Sequence, residues 1–304
     1  MTDSLLRRSQ HSLAPVQRRD IEAAIATCMA DPVTAVVPLM HLEAARDSGH
    51  IPSALWAVRK RNSLRHDIVG VVWAGANLWP ILPRDVDIDA EDDLRADVAQ
   101  GMVTQVARPA AVVGEASVVL DLWGRVEPWW EPARTVRPRQ ISMVATQAPV
   151  RQRPPECDLE PLRTSTLDDY NALLPACVHM FVGEVGYDPL RHGRVSYEAR
   201  LKQLVHDRRS YVQYGVVDGQ RRLVFKAELG ATGGGVAQVQ GVWTHPAVRG
   251  RGVGRAGMAD LIRTVTADVA PALSLYVNDF NVPALATYRS TGFREVGEFA
   301  TVMF

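Results

Sequence analysis

Cysteine and lysine are the scarce residues of this chain. Its 304 residues include three cysteines, Cys28, Cys157 and Cys177, widely spaced and without a C-x-x-C pair. That spacing argues against a disulfide framework or a cysteine-rich zinc site and fits reduced thiols in a cytosol. Only Lys60, Lys202 and Lys226 are lysines among 34 basic residues, so arginine carries most of the positive charge. We read that bias as the mark of a GC-rich genome rather than of chemistry. An excess of one charge sign is also missing, because 34 acidic residues balance the 34 basic ones. Such a chain has no general attraction to nucleic acid or an anionic membrane, and any basic site must be local.

No run of about 18 apolar residues is present to span a bilayer. The start, "MTDSLLRRSQHS", lacks the apolar core of a signal peptide. The eight histidines are scattered and no H-E-x-x-H occurs, so no metal site is expected. The expectation is a cytoplasmic protein without nucleic-acid or membrane partners, a monomer or a homodimer.

What is present is ordinary globular material, 47% hydrophobic and 22% charged, in a chain long enough for two domains. The sharpest composition shift is "QAPVRQRPPECD", Gln147 to Asp158, whose prolines and charges mark a linker. We therefore set a first domain at 1–146, a linker at 147–157 and a second domain at 158–304.

In the second half, "LEPLRT" reads as a short strand. "STLDDYNALLPACVHMF" and "SYEARLKQLVHD" follow as helices, the latter with Leu201, Leu204 and Val205 on one face. "SYVQYGVV", "RLVFKAEL" and "VAQVQGVWTH" are strands joined by glycine turns, hence antiparallel. Met258, Leu261, Ile262, Val265 and Val269 then recur at helical spacing. "ALSLYV", "VPALATYRST" and "EVGEFATVMF" close the chain as strand, helix and strand.

Between the third antiparallel strand and the long helix lies "VRGRGVGR", Val248 to Arg255. Amides at a helix start lack intrahelical acceptors, and the helix dipole there favours negative charge. Glycines let that backbone approach a phosphate, and Arg249, Arg251 or Arg255 can add charge-assisted bonds. The stretch reads as a phosphate cradle, but it has no Gly-Lys-Ser/Thr, and it follows an antiparallel meander rather than opening a dinucleotide-binding unit.

Two segments resemble the GNAT superfamily of acyl-CoA-dependent N-acyltransferases, over about residues 158–304. "GVWTHPAVRGRGVGRAGMADLI" is similar to that family's strand and R/Q-x-x-G-x-G/A pyrophosphate loop, with Arg249, Gly252 and Gly254 in the motif positions. "LSLYVNDFNVPALATYRSTGF" resembles its later strand–helix signature through Asn281, Ala284, Tyr288, Gly292 and Phe293. The pattern also resembles a bacterial subgroup with an extra N-terminal domain of unknown function.

The resemblance implies a mixed, mostly antiparallel GNAT sheet flanked by helices, of α/β (α+β) type. It implies acetyl-CoA as acyl donor, held in a cleft where "VQGVWTH" and "LSLYV" part. Backbone groups at Val242, Trp243 and Thr244 would pair with the pantetheine arm. Arg249, Gly250, Arg251, Gly252, Val253 and Gly254 would hold the pyrophosphate, with Asn281 and Tyr288 beside them. Tyr288 would protonate the departing thiolate, being two helical turns after Asn281 and on one face with it. The plainer alternatives are that Asn281 is only an N-cap and Tyr288 only core packing.

The general base is left open. Where some relatives carry a glutamate this chain has Gln238 and Gln240, which cannot accept a proton. Glu228, on one strand face with Lys226, is one candidate, and its alternative is a surface ion pair of little consequence. Glu184, in "FVGEVGYDP" between the first two helices, is another, its alternative a solvated loop residue. A base acting through water is a third. His245 reads as structural.

The first half shows no catalytic signature, yet its order of elements echoes the second. Helices are expected near Val16–Met29 and Val33–Asp47, then strands "ALWAVRK", "DIVGVVWAG" and "NLWPIL". A helix near Asp89–Gln105, strand "AAVVG", helix "EASVVLDLW" and strand "QISMVAT" follow. We expect a degenerate second GNAT-like copy, an unrelated α/β domain being the alternative. Where the phosphate loop would lie, seven carboxylates from Asp85 to Asp97 would repel a pyrophosphate. The expected activity is transfer of an acyl group, taken as acetyl, from acyl-CoA to a small-molecule or protein amine. The alternative is an acyl-CoA-binding regulator or sensor without turnover.

Overall fold

The computed structural model describes residues 9–61, 67–83, 88–149 and 155–304. The first eight residues, read as lacking a signal-peptide core, Asp85 and Asp87 of the acidic stretch, and 150–154 of the linker lie outside them. The chain divides into two compact units. One comprises Met1–Ser142 with Tyr276–Asp279 and Val296–Phe304, the other Met143–Leu275 with Phe280–Glu295. This division differs from the sequence boundaries: the first unit's leading segment ends at Ser142, residues 147–157 fall in the second unit, and Tyr276–Asp279 and most of the last strand lie in the first.

The first unit contains β1 (His11–Pro15), α1 (Ile21–Cys28), α2 (Val36–Ser48), β2 (Leu55–Lys60), β3 (Ile68–Ala74) and β4 (Asn77–Ile81). Then come α3 (Ile88–Gln105), β5 (Ala111–Glu115), α4 (Ala116–Val126) and β6 (Thr135–Ala145), whose residues up to Ser142 belong here. Strand β1, absent from the sequence reading, pairs antiparallel with β2. Val36, Leu39, Leu42 and Ala45 recur about once per turn and are buried, so α2 lays one stripe on the sheet. Its apolar partners include Leu55, Ala57 and Val71, while Leu94, Val98 and Met102 of α3 and Val119 and Leu122 of α4 pack with Val72, Leu78 and Val112.

The second unit contains β7 (Arg163–Thr164), α5 (Tyr170–Val185), α6 (Pro189–His206), β8 (Ser210–Val217) and β9 (Gln220–Gly233). It continues with β10 (Val236–Thr244), α7 (Val253–Asp268), β11 (Ala272–Asn278) and α8 (Val282–Ser290). The closing strand β12 (Arg294–Met303) lies in the first unit from Val296 onward. There it pairs antiparallel with β5, Phe299 opposite Glu115 and Met303 opposite Ala111.

Both halves thus repeat strand, two helices, three strands, helix, strand, helix, strand. Each carries a mixed, mostly antiparallel sheet with helices packed on it. In the second unit β8, β9 and β10 form the antiparallel meander expected from the glycine turns. Leu201, Leu204 and Val205 are buried as their spacing implies, and so are Met258, Leu261, Ile262 and Val265 of α7. Val269 departs from that stripe: α7 ends at Asp268 and Val269 is exposed. Helix α7 lies close on β9, where a Cβ at Gly257 would meet the Phe225 ring at 2.5 Å.

The β10–β11 and β4–β5 pairs are parallel, and both are short. β10 and β11 are in register only from Val236–Ala272 to Gln238–Ser274. β4 and β5 pair only at Asn77–Ala111 and Leu78–Val112. Beyond each pairing the strands part, leaving backbone groups without ladder partners on that side.

Candidate functional site

At the end of β10, beyond its pairing with β11, lies a cleft of about 770 Å³ in the second unit. Val242, Trp243 and Thr244 of β10 line it, as do Arg249, Gly250, Arg251, Gly252 and Gly254 of the loop. Asn281 and Tyr288 of α8 and Glu184 of α5 line it too. These sequence candidates are therefore neighbours around one space. Val253 is not among its walls, since its side chain is fully buried at the start of α7.

The loop geometry follows from its glycines. Gly250 and Gly252 have φ of 77° and 81°, the left-handed region that a side chain resists. Gly252 is the N-cap of α7 and supplies no side chain to it. The first-turn amides of Val253 and Gly254 therefore receive no capping side chain from that position. A Cβ on Gly254 would lie 2.9 Å from Thr244 Oγ1, so the helix start needs glycine to sit against the end of β10. Arg249 Nε donates to the Thr244 carbonyl at 3.1 Å, which ties the loop back to that strand. The Arg251 carbonyl accepts from the Glu156 amide at 2.9 Å. Amides, the positive end of a helix dipole and arginines thus converge where an anion would sit.

On α8, Asn281 Oδ1 accepts from the Ala284 amide at 3.3 Å, so it does cap the helix while also lining the cleft. Tyr288 is nearly buried, against Phe293, with part of its surface in the cleft. Burial first, and then the Glu184 carboxylate, push its pKa above the ordinary phenol value. Its hydroxyl keeps its proton at neutral pH and is available as a donor. Glu184 belongs to the last turn of α5, not to a loop, and its side chain is exposed. His245 is structural as expected: its Nδ1 accepts from the Ala247 amide at 3.2 Å and caps a short turn.

Glu228 stands apart. It does not line the cleft, and it is no surface ion pair, because Lys226 is wholly buried and Glu228 nearly so. Lys226 Nζ donates to Glu228 Oε1 at 2.5 Å. Burial opposes the carboxylate charge, but the Lys226 ammonium overcomes this and holds the Glu228 pKa below its usual value. A proton taken there would have to displace a buried ion pair, which makes Glu228 a poor base.

The sequence reading passed over His179 and Met180, which also line the cleft from α5. Helical spacing from Glu184 was the available signal for Met180, four positions earlier on the same face, but not for His179. Trp243 Nε1 donates to His179 Nδ1 at 3.1 Å. A second hollow of about 480 Å³ shares these two residues and is otherwise lined by Ala172, Tyr214, Arg222 and their neighbours. Among the described residues, no cluster of histidine, cysteine and carboxylate side chains could hold a metal, and no helix is long and apolar enough to cross a membrane.

Comparison with known proteins agrees with this geometry. Residues 182–293 match the model of the acetyltransferase (GNAT) family, and residues 53–170 match a domain of unknown function, DUF4081. No curated protein matches the sequence significantly. Among solved structures, a Drosophila protein aligns with TM-score 0.60 and 15% identity, over 96% of this chain and 98% of its own. A GCN5-related N-acetyltransferase from Sphaerobacter thermophilus gives 0.54 and 13%, over 97% and 95%. A tandem GNAT protein from the clavulanic acid biosynthesis pathway gives 0.52 and 14%, over 96% and 98%. At these identities the likeness concerns the fold, and the fold is that of two GNAT-like units in tandem. The chain carries a GNAT-family acetyltransferase domain in its second half, behind a DUF4081 domain in its first.

Proposed function

We propose that the second domain transfers an acyl group, acetyl by preference, from acyl-CoA to a primary amine. The observation that carries this reading is the cleft itself. Where the parallel pairing of β10 and β11 has ended, the end of β10 leads to a glycine–arginine loop at a helix start without a side-chain cap, and a protonated tyrosine lies along the cleft wall. The loop would hold the pyrophosphate, and the free edge of β10 at Val242 to Thr244 would pair with the pantetheine arm.

The chemistry then needs two proton movements. The amine attacks the thioester carbonyl as a neutral base, so its ammonium proton must first leave. Glu184, exposed at the cleft, is the carboxylate we assign to receive it, directly or through water. As the tetrahedral intermediate collapses, the carbon–sulfur bond breaks, the thiolate takes the Tyr288 hydroxyl proton, and the phenolate is reprotonated by the second proton leaving the former amine nitrogen. The products are an amide and free CoA.

The reading is tested by thiol release from acetyl-CoA across a panel of small amines and lysine peptides, with mass analysis of the acylated product. Turnover with one amine class supports it and identifies the acceptor. Tight acetyl-CoA binding without turnover on any amine would favour the acyl-CoA-sensing alternative.

A further inference from the structure

The buried Lys226–Glu228 pair has no part in proton transfer as derived above, yet it lies directly beneath the strand that edges the cleft. Opposite it, β10 is irregular. Its pairing with β9 runs Gln240–Glu228 and then resumes at Trp243–Lys226, so Gly241 and Val242 form a bulge. Gly241 has φ of 61°. A Cβ there would lie 3.1 Å from both the Glu228 carboxyl carbon and Lys226 Nζ. The bulge therefore rests on the charged pair with no room for a side chain between them. Gln240 Nε2 donates to the second Glu228 oxygen at 3.4 Å, and the Cys177 thiol of α5 lies 3.5 Å from the first. Tyr197 and Arg200 of α6 complete the surrounding charge field.

We infer that Lys226 and Glu228 are positioning residues for acyl-CoA: the pair props the Gly241–Val242 bulge and so aims the backbone of Val242 to Thr244 into the cleft. This rests on the acyl-CoA reading of that cleft. A bulge re-aims a strand edge, and a fully paired β10 would instead have turned these groups along a regular ladder. An ion pair is a rigid support because its two members can satisfy each other in one arrangement, and flexible apolar chains of the same length would not hold the bulge in place.

The test uses the full chain and calorimetric titration with two probes. Acetyl-CoA reports the loop and the arm together, and adenosine 3′,5′-bisphosphate reports the nucleotide end alone. Two variants are compared with wild type. The double variant Lys226→Met with Glu228→Met removes both charges without stranding either, and Gly241→Ala keeps the pair but presses a methyl group onto it. Each is expected to bind the bisphosphate as wild type does and acetyl-CoA about tenfold more weakly, the scale of one misaligned backbone contact. Should the double variant fail to fold, Gly241→Ala carries the test. With an amine found by screening, Glu228→Gln should raise KM for acetyl-CoA and keep the acidic limb of the kcat–pH profile. Unchanged acetyl-CoA affinity in a folded variant overturns the inference, as does loss of that acidic limb, which would make Glu228 the base. If the wild-type chain binds neither probe, the acyl-CoA reading itself fails, and the positioning role with it, before any variant is compared.

Discussion

Trp243 donates its indole N–H to Nδ1 of His179, 3.1 Å away, and both rings wall the candidate cleft. With Nδ1 used as acceptor, the neutral imidazole carries its hydrogen on Nε2. Trp243→Phe keeps an aromatic ring and removes the donor. We expect nitrogen-15 ring spectra at high pH to move from the single Nε2–H tautomer toward a mixture. An unchanged tautomer in the variant would mean that some other group orients His179.

The cradle depends on a left-handed glycine. Gly252→Val places a β-branched side chain at φ of 81°, with its Cβ 3.4 Å from the Pro155 backbone. We expect a folded protein that binds CoA at least tenfold more weakly, about 1.4 kcal/mol. Full CoA affinity in that variant would remove the loop from the site.

CoA should bind once per chain. In the first half α3 follows β4 as α7 follows β10, but its first turn carries Asp89 and Glu91 instead of glycine and arginine. Further along α3, Asp92 and Asp97 are engaged by Arg125 and His11. Carboxylates at a helix start already satisfy the dipole and repel a pyrophosphate. Titration to a stoichiometry of two would contradict this.

Tyr288→Phe removes one hydroxyl and leaves the packing with Phe293. We expect CoA affinity to persist and kcat to fall by roughly 10². The phenol pKa is raised, so the acid form is present throughout neutral pH. Wild-type kcat should therefore show no alkaline loss from this group until above its ordinary value of 10. A wild-type fall near pH 8 that vanishes in Tyr288→Phe would contradict the raised pKa.

The closing strand should stabilise the first unit. Phe299 is buried with Trp79, Ala111 and Val113, and its ring stacks on Tyr276 at 5.1 Å. Phe299→Ala is expected to cost about 3–5 kcal/mol. A chain ending before Val296 should lose β12 beside β5, and limited proteolysis should then cut within residues 9–142 first. Equal protease resistance of the truncated and full chains would show that the first unit does not need this strand.

Much of the candidate cleft's lining was legible because its geometry is local. The helix-start glycines, their arginines, and the Asn281-to-Tyr288 spacing act through backbone geometry within a few residues, and turn and helix periodicities run in the same short range. The two repeats of element order could be read for the same reason. Contacts between residues distant in sequence could not. Period-two alternation correctly put Lys226 and Glu228 on one face of β9, but whether that face met water or α5 was a tertiary matter, and the answer turned a surface pair into a buried support. His179 reached the cleft only through the packing of α5 on β10. The final strand reads locally as the end of the second domain, and long-range pairing gives it to β5 instead, because a strand's edge bonds are indifferent to which part of the chain supplies the partner.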